Sequence, residues 1–306
     1  MATAERAARD DRLVFAPDTP ATSIVSWPLA VARFCRRKPL GAFGGAITLV
    51  LIVMAIVHPW IATHDPNALN PNEVLHGISG RHYFGTDNYG RDVYSRVVYG
   101  AWASLEVSII SVAIGTAIGT AIGVVSGYFG GAVDMVLQRV VDAALAFPGL
   151  ILAIALVGLV GPSVKNVSIA IGLVTFPSLS RIVRGPVLSI KEQPYLEAAR
   201  STGANSLRIM VRHILPNITA IIIVVVTARF GTAILVESSL SFLGLGPPPP
   251  TATWGSMLSG DAIYIMQTAW WLAFFPGAAI TLVVLGFNLF GDALRDVLDP
   301  RLRGRA

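Results

Sequence analysis

Residues Lys191 to Asn217 read KEQPYLEAARSTGANSLRIMVRHILPN. This is the longest charged, amphipathic passage lying between apolar runs too long for a soluble core. Pro194 suits a first helical turn, where its missing N–H has no intrahelical partner. Tyr195, Leu196, Ala198 and Ala199 then give a short helix with one small-residue face. Gly203 is placed to end it, because glycine enters the left-handed conformation without a Cβ penalty. Asn205 or Ser206 can cap a second helix, with Leu207, Ile209, Met210 and Ile214 as its apolar positions. Pro216 closes the loop at the membrane edge. The expectation is a helix–turn–helix with basic flanks that presents a surface to a partner.

The composition says where such a loop would sit. The 306 residues are 54% hydrophobic and 13% charged, with mean hydropathy +0.65, whereas soluble domains carry roughly 25% charged residues. The chain therefore reads as an integral membrane protein, and its long apolar runs make it an all-α one. Lys38, Lys165 and Lys191 are followed by Pro, Asn and Glu, so no phosphate-binding lysine motif is present and ATP hydrolysis must occur on another chain. The single cysteine, Cys35, excludes an internal disulfide. The net charge of +5 follows from topology and gives no nucleic-acid reading.

Outward from the loop, apolar runs long enough to cross a bilayer recur. Residues 1–38 read as a polar cytoplasmic tail, disordered over about 1–25, and 39–60 as the first span. A polar segment, 61–101, follows. The five-helix core, 102–294, has runs near 102–127, 133–160, 167–188, 214–237 and 270–289, with the hairpin at 189–216. Residues 295–306 form a second tail. In the run after Trp102, Gly115, Gly119, Gly123 and Gly127 recur every four residues, which gives one helix face a packing stripe. Six spans put both termini on one side. Arginine and lysine concentrate in the hairpin and beside the termini, while Arg81, Arg91, Arg96 and Lys165 fall opposite. Positive residues favour the inside, so both termini and the hairpin are expected to be cytoplasmic.

The hairpin resembles the EAA loop of binding-protein-dependent ABC importer permeases. That pattern is Glu-Ala-Ala, three residues, Gly, nine residues, Ile, one residue, Leu-Pro. Glu197, Ala198, Ala199, Gly203, Leu215 and Pro216 stand in register, and His213 occupies the isoleucine position. Three stretches resemble the C-type subunit of dipeptide and oligopeptide importers: Phe84 to Leu105, Arg181 to Arg200, and Glu237 to Leu258. The resemblance implies a type I importer architecture of six transmembrane helices in a multi-pass protein of the cell inner membrane. It implies a homologous second permease subunit, two cytoplasmic ATPases and an extracytoplasmic substrate-binding protein as partners. The hairpin would be the coupling helix docking on an ATPase, with Glu197 meeting a basic residue. No cofactor is implied in this chain, ATP and Mg being bound by the ATPases. The substrate implied is a dipeptide or oligopeptide. Nickel or another small solute is the alternative within the same architecture. An ion-driven secondary transporter would leave the EAA loop unexplained.

Polar residues inside the runs are candidates for the pathway. Asp142 lies in the third run, one or two turns from the expected cytoplasmic face, where it could pair with Arg139. Arg229 lies mid-way along the fifth run, where a lone guanidinium costs roughly 2.5–3.5 kcal/mol at a helix centre. It could line the pathway or pair with an acid of the partner subunit. Glu237 is expected to cap the outer loop. His58, His64, His76 and His82, irregularly spaced, read as scattered surface histidines rather than a metal site.

Overall fold

The computed structural model describes residue 32 and residues 34–260, 264–265 and 267–298. By contacts the chain divides into a unit ending at Arg37 and a unit beginning at Lys38. In the first unit Cys35 is exposed and unpaired. The tail expected over 1–25 and the residues after Leu298 lie outside the described residues.

The second unit is helical. Its elements are α1 (Pro39–Ile61), α2 (Val93–Phe129), α3 (Gly131–Leu145), α4 (Gly149–Val160), α5 (Val164–Ile190), α6 (Pro194–Ser201), α7 (Ser206–Ile209), α8 (Leu215–Phe242), α9 (Trp254–Met257) and α10 (Trp271–Leu298). Among the described residues, five helices are long and apolar enough to cross a membrane, six if α3 and α4 count as one bent span.

Three boundaries differ from the sequence expectation. The second long helix begins at Val93, not Trp102, because Asp92 caps it: Ser95 N–H donates to Asp92 Oδ2 at 2.8 Å. The third run is not one straight span; α3 and α4 meet at 88°. Pro148 stands at the break, where it disfavours a helical Phe147 and contributes no N–H. The last helix runs to Leu298, so Arg295 belongs to it and not to a tail.

The glycine stripe on α2 is a packing surface, as its spacing predicts. A Cβ at Gly119 would come within 2.8 Å of Phe176 O, and one at Gly123 within 2.6 Å of Ser180 O. Only glycine lets the α2 and α5 backbones approach this closely. Outside the stripe, α1 packs on α10 and Phe230 of α8 stacks on Phe287 of α10, with ring centroids 5.2 Å apart. Leu51, Ala55, Leu105, Ile234, Trp254 and Phe287 share one buried cluster joining these elements. A second cluster joins the helix ends to the hairpin: Val124, Leu179, Val183 and Val187 pack against Leu196, Ile209, Ile214 and Ile218.

Candidate functional site

The hairpin is assembled from two short helices pinned from below. Pro194 starts α6, and Gln193 supplies its extended flank. At the far end Gly203 has φ +84°, in the left-handed region where a side chain is strained. Gly203 N–H donates to Arg200 O at 2.9 Å and Ala204 N–H to Ala199 O at 3.1 Å, so the helix's last carbonyls find partners across the turn. Asn205 caps α7, its side chain accepting from Arg208 N–H at 2.8 Å.

Leu196, Ile209 and Ile214 are fully buried beneath this turn. Glu197, Ala198, Gly203, Pro216 and Arg208 are exposed, and Ala199 and Leu215 are half-buried. Leu207, expected as an apolar anchor, is instead 66% exposed. Pro216 does not close the loop either. It sits in the first turn of α8, behind a π-helical turn at Met210–Ile214 in which Leu215 N–H reaches back to Met210 O. The π turn absorbs the register change, so residues Ser206 to Phe242 run on as one long helix. Arg200 lies over the Tyr128 ring at 5.5 Å, tying α6 to the end of α2.

The pathway candidates both reach α5. Asp142 on α3 accepts from Arg181 of α5 rather than pairing with Arg139 on its own helix. Arg229 Nη2 on α8 donates to Ser178 Oγ at 2.7 Å. Ser178 and Arg181 are three residues apart, so the two contacts fall on neighbouring turns of one helix face. Among the described residues Arg229 makes no ion pair. A further contact was not anticipated: Arg184 on α5 grips Asp134 on α3 through two bonds, Nε–Oδ1 at 2.7 Å and Nη2–Oδ2 at 2.5 Å. Asp134 and Gln138 thus turn inward while Val133, Met135, Val136 and Val140 face outward. That pattern suits a helix whose outer surroundings are apolar.

Glu237 does not cap a loop. It is fully buried on α8, where Ser241 Oγ donates to Oε1 at 2.7 Å and Ser104 Oγ of α2 to Oε2 at 3.2 Å. The serine run following it was the available signal.

The segment between α1 and α2 is held by polar groups. Asp87 Oδ1 accepts from Tyr89 N–H at 2.8 Å and Arg91 N–H at 2.9 Å, and Arg91 Nε donates to Oδ2 at 2.6 Å. Gly90 has φ +74°, and a Cβ there would collide with Asn70 O. The histidines are not all scattered. His64, His82 and Asp92 bring one donor atom each to within 4.8 Å of one another, and so could hold a metal ion. Desolvation pushes the Glu73 carboxyl up, but His82, Arg81 and Asn70 together hold it below the ordinary carboxylate range. A cavity of about 390 Å³ lies beside this segment, lined by residues including Asp87, Arg91, Arg96, Ser256 and Met257. Neither Arg229 nor Asp142 lines it.

Residues 119–304 match the family described as binding-protein-dependent transport system inner membrane component. The chain belongs to this family. Residues 27–77 match the N-terminal transmembrane domain of oligopeptide transport permease C. The permease is 43% identical over 287 residues to the dipeptide transport system permease protein DppC of Alkalihalophilus pseudofirmus, covering 94% of each chain. It is 45% identical over 273 residues to the glutathione transport system permease protein GsiD of Escherichia coli, covering 89% of this chain and 90% of that one. Its fold is similar to that of the MetNI methionine ABC transporter in an inward-facing conformation. The TM-score is 0.54 at 18% identity, over 67% of this chain and 96% of the other. The permease is thus a multi-pass inner-membrane transport subunit of the type I importer fold.

Proposed function

We propose that the permease is the C-type subunit of an ABC importer for short peptides, and that the hairpin couples it to a cytoplasmic ATPase. The relatives named for dipeptide and glutathione transport support a peptide over nickel. The observation that carries the coupling role is the positive-φ turn at Gly203, which holds Glu197 and Ala198 exposed above a buried apolar footing. A second permease pairs with this one. A binding protein delivers the peptide outside, and ATP-driven closure of two ATPases, which hold the ATP and Mg, moves the hairpins together. Differential binding of the ATPases to the two states of the permease drives the exchange of access.

Gly203→Val tests this. Nothing lies within 4 Å of a Cβ at Gly203, so the substitution strains the backbone without a clash. Transport and ATPase co-purification should fall while the amount of inserted permease stays normal. Normal co-purification and transport would remove the coupling role. Orientation is tested in a Cys35→Ser background. Cysteine at Leu69, 67% exposed, should react with an impermeant thiol reagent in intact cells, and cysteine at Leu207, 66% exposed, only after permeabilisation. Reversed labelling would overturn the cytoplasmic placement of the hairpin.

Arg229 belongs to the pathway on this reading, where its charge attracts the C-terminal carboxylate of a passing peptide. A hydroxyl is its only side-chain partner among the described residues, which leaves its charge available. Arg229→Met should assemble normally but take up less peptide, and amidating the peptide's carboxylate should slow the wild type more than the variant. Failure to assemble would make Arg229 a subunit-pairing residue.

A further inference from the structure

Asp92 does more than cap α2. Its Oδ2 is fully used, accepting from Ser95 N–H at 2.8 Å, Ser95 Oγ at 2.7 Å and Thr63 Oγ1 at 3.3 Å. That fixes the carboxylate and aims Oδ1 at two histidines from other parts of the segment. His82 Nδ1 donates to Asp92 Oδ1 at 2.8 Å, and His64 Nδ1 lies 3.8 Å from the same oxygen. The two imidazoles stack with centroids 4.7 Å apart and planes 29° from parallel, and one donor atom from each lies within 4.8 Å of the other and of the Asp92 carboxylate.

We propose that His64, His82 and Asp92 form a binding site for one divalent transition-metal ion, zinc above all. A tetrahedral ion at about 2.0–2.1 Å from its ligands spaces neighbouring ligand atoms about 3.3 Å apart. The observed 2.8 and 3.8 Å from the two imidazoles to Asp92 Oδ1 bracket that spacing, and the three donor atoms lie within 4.8 Å of one another. Imidazole nitrogens with one carboxylate select zinc and its neighbours over calcium and magnesium, which require oxygen cages. Three protein ligands leave a fourth position for water.

The surroundings are those a metal centre uses. His82 Nε2 lies 3.3 Å from Glu73 Oε2, and Arg81 Nη1 holds the other Glu73 oxygen at 2.5 Å. A carboxylate on the far ring nitrogen fixes the ring and leaves Nδ1 as the ligand. On binding, His82 Nδ1 gives up its proton to solvent while Nε2–H keeps its bond to Glu73, and His64 exchanges its Nδ1 contact with Thr63 Oγ1, at 3.0 Å, for the ion, its remaining proton resting on Nε2. The His64 side chain is 31% exposed and gives the ion a way in, while those of His82 and Asp92 are 5% and 1% exposed. The ion would fasten three separate pieces of chain: the exit of α1, the loop around His82, and the start of α2.

The test uses the full-length permease in detergent, purified without a polyhistidine tag and titrated with Zn²⁺ alone, then with Co²⁺ for its visible ligand-field band. The wild type should bind one Zn²⁺ per chain, raise its thermal midpoint with added Zn²⁺, and show the tetrahedral Co²⁺ band. His64→Gln, at the partly exposed ligand, should abolish the band. Glu73→Gln should weaken binding about 10–100-fold. His76→Gln should leave binding unchanged, because His76 lies outside the trio whose donor atoms come together. A wild type that binds no Zn²⁺ would reduce the trio to a hydrogen-bonded cluster. Equal affinities for wild type, His64→Gln and His76→Gln would mark only adventitious surface binding and overturn the site.

Discussion

The two connections that carry the most chemistry, residues 62–92 and residues 191–214, are built on opposite plans. The first buries its polar groups. Asp87, Asp92, His82 and Thr86 are buried, and each is bonded to another part of the same segment or to α2. The second stands on three buried apolar anchors. Leu196, Ile209 and Ile214 sink into the helix ends, and Glu197, Arg208 and Val211 point away from the protein. Among the described residues Glu197 makes no ion pair. A polar network that satisfies itself closes a surface, because unpaired buried groups are costly. An apolar footing beneath an exposed face of mixed character leaves that face for another molecule.

This contrast can be broken at single residues. Leu196→Ala removes a fully buried anchor of the hairpin and should cost about 2–5 kcal/mol, read as a lowered thermal midpoint with α6 detaching first in hydrogen exchange. Gly90→Ala should cost about 3 kcal/mol, since it adds positive-φ strain to a collision with the Asn70 carbonyl. Gly203→Ala has the same strain and open space around it, and should cost only about 1 kcal/mol. The two alanine variants therefore separate a closed turn from an open one, and equal costs would dissolve the contrast. Glu197→Gln should change stability by less than about 0.5 kcal/mol while lowering transport-coupled ATP hydrolysis, measured in the assembled complex.

Much of this was legible in advance for a physical reason. Run length, glycine spacing and the hairpin's caps are local signals, and each depends on residues within a turn or two of one another. Gly115 to Gly127 became the α2 face against α5, and Gly203 became a left-handed turn. What sequence reasoning missed depends on distant partners. Asp142 pairs with Arg181, 39 residues away, and not with its near neighbour Arg139. Glu237 meets Ser104 across 133 residues. His64, His82 and Asp92 converge only because the loop from α1 to α2 folds on itself, which irregular spacing conceals. The run over 133–160 looked continuous because hydropathy averages across Pro148, whose missing N–H and restriction on Phe147 end a helix.

We propose the face carrying Glu197 and Ala198 as the surface that meets the ATPase. A photo-crosslinking amino acid at Ala198, which is exposed and small, tests it most directly. Irradiated in intact cells, the variant should yield one dominant adduct containing a cytoplasmic ATPase, and Gly203→Val in the same chain should diminish it. An adduct with an extracytoplasmic protein, or an ATPase adduct equally strong from a probe at Leu69, would remove the hairpin from the ATPase contact.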